Sequence, residues 1–515
     1  MTRRTSREMI WEELNPRLSP GACIHLTESE EFEKSNLRFT DYERPTYLAA
    51  VEPACEEDVI QVMKFAREKG IPFAPRSGHH AVTTTMRHLK DGILIDMRPL
   101  NKLEFDAIKQ QVTVGGGVLT DNFVKYLESV GMEVSKYLVN AEYHISKMHA
   151  DIAVDVGSCP TTGVIGVAFG AGLGRLQGKY GFLHDNIVSC KMVLADGSVV
   201  LVSEDSNSEL FWAIRGAGHN FGIALEATFL VYPQANKGIH YTWDLEYTVE
   251  QCDSVFETLN SVHEVMPADL AIFVLWVRQS EGGRKHHILV NLVWSGPETK
   301  ADPWVQRFKG LNPVINSGKV TTTWADLPWK TYKGMNNVLS KPEVWSKAPY
   351  KMMGAACVEK FDLKTTRSFF ESVRSMNEEW AGKGFFGAMF ECLPHQKVRE
   401  LPSEGTAFPW RWGSNHFLML MATPLKLEFK EEFEEHLDRW KKEFIATSGY
   451  GRLQQYVNYG NTTSTMRDPP EALYGYEPWR LEKLRALKQR YDPDNVFCWY
   501  QPLVEPEASD VVNVA

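Results

Sequence analysis

Three things are scarce in this chain of 515 residues, and each scarcity closes off a class of protein. No run of about 18 apolar residues occurs, so no membrane-spanning helix is expected. Cysteine is sparse: eight residues, at 23, 55, 159, 190, 252, 357, 392 and 498, include no Cys-x-x-Cys pair. That pattern argues against a zinc centre or a disulfide framework and for reduced, mostly buried thiols; no metal is expected. Blocks of like charge are missing too, because 56 basic and 66 acidic residues are interspersed for a net charge of −10. A nucleic-acid surface or an anionic-membrane surface is thereby disfavoured, and a small-molecule partner is expected. Arg3 and Arg4 are followed by Glu8, Glu12 and Glu13 instead of an apolar core, so no secretory signal is read and a cytoplasmic location is expected.

What is present is ordinary globular composition, 43% apolar and 24% charged, at a length that calls for two or three domains. Tyr47 to Val51 reads as a strand, Glu56 to Arg67 as a helix with acidic residues at its start and Gly70 at its stop, and Ile71 to Pro75 as the next strand. Further strands are expected at 92–97 and 111–114, and a hairpin at 186–202 turning on Asp196-Gly197. Beyond Pro233 the strands lengthen, as in 270–277 and 287–294, and amphipathic helices follow at 301–309 and 426–444. A sheet backed by helices is the simplest second domain.

Two loops attract chemical attention. Gly78-His79-His80 follows a strand, and Gly157-Ser158-Cys159-Pro160 precedes the glycine-rich stretch Gly166 to Gly174. Glycine lets backbone amides press against a pyrophosphate, but the spacing here fails the dinucleotide fingerprint of a strand-turn-helix unit. Taken singly, His80 reads as a surface imidazole and Cys159 as a small buried hydrophobe.

Their order along the chain says more. Residues 70–80, then Gly157 to Gly163, Tyr180-Gly181 with Asp185-Asn186, Val193 to Gly197, Leu210 to Ile223, Tyr456-Val457-Asn458-Tyr459 and Tyr491 to Phe497 together resemble the berberine-bridge-enzyme-like FAD-linked oxidases. The resemblance spans about 45–232 and 450–503. It implies an α+β protein with a two-part PCMH-type FAD-binding domain, 1–232 and 450–515, around an inserted substrate domain, 233–449, of antiparallel sheet backed by helices. It also implies FAD bonded through its 8α methyl to His80 and through ring carbon 6 to Cys159. Cofactor contacts are implied for Arg76, Ser77, Gly78, His79, Gly157, Ser158, Thr162, Gly163, Gly166, Gly172, Asn186, Phe221, Gly222, Ile223 and Asn458.

The chain departs from the family pattern in three places. The family usually has two glycines before the linked histidine; here His79 replaces the second, and the register favours His80 with His79 as the fallback. The position that carries an acid or amide in plant relatives, on the strand after Phe408-Pro409-Trp410-Arg411, is Met419, which cannot move a proton. A catalytic base is then expected from Tyr456 or Tyr459, with His416 as a further candidate. Third, 21 extra residues, Ser135 to Asp155, precede the cysteine loop and contain His144, His149 and Asp151; a substrate lid and an in-frame retained intron are the two readings. The expected activity is hydride removal from an alcohol, amine or activated carbon of a secondary metabolite, with dioxygen reoxidising the flavin to give hydrogen peroxide. A dehydrogenase with another acceptor, or a flavin-fold cyclase or non-catalytic homologue, is the alternative. Trp276, Trp294, Phe390 and Trp410 suggest an aromatic substrate pocket.

Overall fold

The computed structural model describes residues 9–133, 159–278, 286–412 and 416–506. Its N-terminal sheet has the spatial order Cys23–Leu26, Tyr47–Glu52, Gly92–Asp96, Phe73–Arg76. Tyr47–Glu52 and Phe73–Arg76 both run parallel to Gly92–Asp96, joined by the helix Glu56–Lys69. That helix begins with three acidic residues against its dipole, and Asp58 accepts from the amides of Ala54 and Cys55. It ends where Gly70 turns left-handed at φ 64°. Phe73–Arg76 then delivers the chain directly into the histidine loop.

A second, five-stranded antiparallel sheet contains the expected hairpin, Ile187–Val193 paired with Val199–Ser203, and Gly197 takes φ 81° in its turn. The third is an eight-stranded antiparallel sheet formed between Ile239 and Pro424. Helices Cys252–His263, Leu363–Glu379 and Lys430–Ala446 cover one of its faces. Mixed helix and antiparallel sheet is thus the architecture that the sequence implied.

Strand periodicity splits the third sheet into two chemically different faces. Ile272, Val274, Trp276, Trp294, Phe390, Leu418 and Leu420 pack into the cluster under the helices. Phe273, Leu275, Met353, Cys357, Met389, Phe417, Met419 and Met421 belong to the other cluster, together with Tyr456 and Tyr459. The expectation that Trp276, Trp294 and Phe390 line a substrate pocket is therefore corrected: their parity places them under the helices. Trp410 is buried in the second cluster, with its indole N–H donating to the Gln455 carbonyl at 2.9 Å. His416 shares the helix-side parity and stacks on Phe361 at 4.6 Å, so it does not serve as a base beside the tyrosines.

Candidate active site

The histidine loop and the 159–163 loop interlock without room for side chains. A Cβ on Gly78 would lie 2.3 Å from the Thr161 carbonyl and 2.6 Å from the Gly163 nitrogen, and one on Gly163 would strike the Ser77 hydroxyl. His79 sits in left-handed backbone at φ 59°, the conformation glycine adopts at least cost. Its Nδ1 is 3.0 Å from the Leu37 carbonyl. Burial, the first cause, and the nearby guanidinium groups of Arg76 and Arg38 hold His79 well below the usual histidine range.

His80 emerges on the other side of that kink. Its Nε2 is 2.7 Å from the Thr161 hydroxyl, and the Cys159 sulfur lies 3.7 Å from Nε2 and 3.9 Å from Nδ1. Phe39 stacks on the imidazole at 4.9 Å, and Trp345 meets it edge-on at 5.0 Å. Arg76 donates to Asp96 at 3.1 Å and to the Ser35 carbonyl at 2.6 Å, which pins the strand end that carries the loop.

These loops open onto a shared cleft. Arg76, Ser77, Gly78, His79, His80, Thr162, Gly163, Gly166, Gly222, Ile223, Tyr456, Asn458 and Tyr459 all line it. A Cβ on Gly166 would meet nothing within 4 Å, so the backbone there faces open space. Buried polar atoms of lining residues lack hydrogen-bond partners: Tyr47 Oη, Arg76 Nε, His79 Nε2, His219 Nδ1 and Trp499 Nε1. Bare glycine backbone, unpaired donors and an elongated apolar wall suit a dinucleotide with a polar pyrophosphate and a flat ring. FAD fits this cleft.

Four implied residues fall outside the lining, Cys159 among them, although its sulfur lies beside His80. Asn186 is buried with its amide donating to the Tyr180 and Phe182 carbonyls and accepting from Tyr232, so it ties loops together. Gly172, at φ 77°, is packed against Leu183, and Phe221 is a core side chain. Gly157, Ser158 and the stretch Ser135 to Asp155 lie outside the described residues.

At the sheet side of the cleft, Tyr456 Oη accepts from the Gly172 amide at 3.2 Å and from the Asn458 side chain at 2.7 Å. Burial raises the phenol far above its ordinary value despite those donors. Tyr459 differs: its hydroxyl lies 3.3 and 3.4 Å from the two oxygens of Glu391, a fully buried carboxylate. Sequence reading missed Glu391. It sits on Gly384–Cys392, opposite Phe417 on the strand that carries Met419.

Asp185 and Arg411 form a buried ion pair. Burial alone would raise the Asp185 carboxyl, but His184 and Arg411 outweigh it and hold it well below the usual carboxylate range. All eight cysteines are free, and burial pushes the thiols of Cys190, Cys252, Cys357 and Cys392 up. Among the described residues, no helix is long and apolar enough to cross a membrane.

Comparison with known proteins identifies the family. The FAD binding domain family matches residues 47–137 and 137–203, and the family described as berberine and berberine like matches 455–503. The FAD-linked oxidoreductase alt4 of Alternaria solani is 64% identical over 96% of this chain and 97% of its own length. The FAD-linked oxidoreductase fogF of Aspergillus ruber is 30% identical over 93% and 90%. Among solved structures, Physcomitrella patens BBE-like 1 superposes with a TM-score of 0.77 at 20% identity, covering 98% of this chain and all of that one. Glucooligosaccharide oxidase from Acremonium strictum, described with a 6-S-cysteinyl, 8α-N1-histidyl FAD, gives 0.76 at 19% identity over 96% and 99%. With an FAD-shaped cleft held by its two flanking segments and a relative this similar along nearly its whole length, the chain belongs to the berberine-bridge-enzyme-like FAD-linked oxidoreductases.

Proposed function

We propose that this FAD-linked oxidoreductase is an oxidase acting on a predominantly apolar alcohol, phenol or activated carbon of fungal secondary metabolism, with dioxygen as the final acceptor. The observation that carries the reading is the Tyr459–Glu391 pair at the cleft. His80 and Cys159 are the attachment points for the cofactor, and Gly78, Gly163 and Gly166 provide the backbone that receives its pyrophosphate. Bound FAD supplies the hydride acceptor.

The protein's own part is proton handling and exclusion of water. A carboxylate at this distance does not acidify a phenol, because it opposes the negative charge of the phenolate. It can accept the phenol's proton, so Tyr459 takes a proton from a substrate O–H as it passes its own to Glu391. Such acid–base assistance contributes about 10²–10⁴-fold. The cleft that Tyr459 lines also carries Ile165, Val167, Phe169 and Leu173, an apolar wall. A sugar would leave several hydroxyls facing that wall without hydrogen-bond partners, at about 1–3 kcal/mol each. An apolar substrate with one hydroxyl suits the wall better.

Chemical reduction without air followed by mixing with air-saturated buffer tests the acceptor and needs no substrate. Recovery of the oxidised spectrum within seconds, with one equivalent of hydrogen peroxide, is expected; protein still reduced after minutes refutes the oxidase reading. With a substrate in hand, Glu391→Gln and Tyr459→Phe should each lower kcat about 10²–10³-fold, and the double variant by little more. Losses that multiply would refute a shared proton path.

A further inference from the structure

Thr161 stands between the two attachment residues. Its hydroxyl oxygen is 2.7 Å from His80 Nε2 and 3.2 Å from the Cys159 sulfur, while sulfur and Nε2 are 3.7 Å apart. One hydroxyl thus contacts both prospective nucleophiles. Its place is fixed by the surrounding backbone: Thr120 donates to the Thr162 carbonyl at 2.6 Å, the Thr162 hydroxyl donates to the Cys159 carbonyl at 3.2 Å, and Gly78 packs on the Thr161 carbonyl.

A threonine hydroxyl has one hydrogen and can give it to only one neighbour. If it donates to the Cys159 sulfur, it must accept from His80 Nε2–H. The imidazole is then the tautomer with its hydrogen on Nε2 and a lone pair on Nδ1, and the sulfur is stabilised as thiolate. In the opposite arrangement, the hydroxyl donates to Nε2, Nδ1 carries the hydrogen and the sulfur remains a thiol. Neither neighbour is then a nucleophile. We propose that Thr161 is the positioning residue for cofactor attachment, one hydroxyl preparing His80 Nδ1 for the 8α carbon and Cys159 for ring carbon 6.

The inference rests on the reading that His80 and Cys159 are the tethers. At His80, an N–C bond replaces the imidazole N–H and one 8α C–H; at Cys159, a C–S bond replaces S–H and C6–H. In each case the two hydrogens and their electrons reduce the flavin, and dioxygen removes them as hydrogen peroxide, so the chemistry balances with the oxidant already proposed.

Thr161→Val keeps the shape and removes the hydroxyl, whereas Thr161→Ser restores it. Holoprotein of each form is purified, the acid-stable flavin fraction is followed over time in air, and digests are read by mass spectrometry. The expected result is normal FAD content in the valine variant, linkage slowed about tenfold or more at both residues, and recovery in the serine variant. Equal linkage in wild type and the valine variant overturns the role of Thr161. Wild type with FAD on neither the His80 nor the Cys159 peptide overturns the tether reading itself, and this inference with it. If the valine variant holds no FAD, Thr161→Ala decides on the same criteria: linkage as fast as wild type overturns the proposal, and slow linkage with intact FAD content supports it.

Discussion

Acid should destabilise this protein through three histidines that the mechanism does not use. His263, His395 and His416 lie together, with ring centroids 4.0 Å apart for His263–His416 and 6.3 Å for His263–His395. None of the four ring nitrogens of His263 and His416 has a hydrogen-bond partner. Burial, aided by like charge from His263 and Arg399, lowers His395 to about 3; burial and Arg399 lower His263 to about 4; burial with His263 and His395 holds His416 well below the ordinary value. In the unfolded chain each returns to a pKa of about 6.5. Between that value and the folded one, the unfolded state binds protons that the folded state refuses. Stability is therefore complete above about pH 6.5 and falls as pH drops below it. At pH 5.5 each fully buried histidine costs about 1.4 kcal/mol relative to pH 7.5, so His395 and His416 together cost about 3 kcal/mol. His416→Phe keeps the stack on Phe361 and removes one proton site. Its melting temperature should drop less than that of wild type between pH 7.5 and 5.5, by about 1–2 °C for a chain of 515 residues. The comparison is of pH sensitivities, so any constant packing effect of the substitution cancels. Identical pH sensitivity in the two proteins would refute the claim that these imidazoles are buried neutral.

Two other perturbations follow from the cleft and its supports. Arg411→Met leaves Asp185 buried without its guanidinium, which should cost about 3–5 kcal/mol and show as a large fall in melting temperature; Asp185→Asn/Arg411→Met should recover part of that loss. Gly78→Ala forces a Cβ against the Thr161 carbonyl and the Gly163 nitrogen, both backbone, so the purified protein should be colourless or nearly so, with a folded far-UV spectrum. A yellow protein with wild-type flavin content would contradict the interlocking of the two loops.

Local features were readable from sequence because short-range rules govern them. The Gly70 helix stop, the Asp196-Gly197 hairpin and the order of histidine loop, cysteine loop and terminal tyrosines each depend on a few neighbouring residues. Glu391 was not readable: it reaches Tyr459, 68 residues further on, only through the register of the strand beside His416–Pro424. The aromatic-pocket expectation failed for a related reason. Alternation tells which residues of a strand share a face, but not which face the helices will cover, and Trp276, Trp294, Phe390 and His416 all fell on the covered one. Thr161 carried a signal in its spacing, two residues past Cys159, yet a threonine has no distinctive chemistry until an imidazole folds against it. His79 shows the converse. It breaks the expected glycine pattern in sequence, while its left-handed backbone shows that the chain keeps the glycine conformation there.

The central claim is that the two loops hold FAD through His80 and Cys159. Mass spectrometry of denatured, trypsin-digested wild-type protein tests it most directly, with fragmentation to separate His79 from His80, since both fall in the peptide Ser77 to Arg87. The expected result is an FAD mass adduct on that peptide placed at His80, joined to the peptide containing Cys159. Flavin released entirely by acid, or an adduct placed at His79, would contradict it.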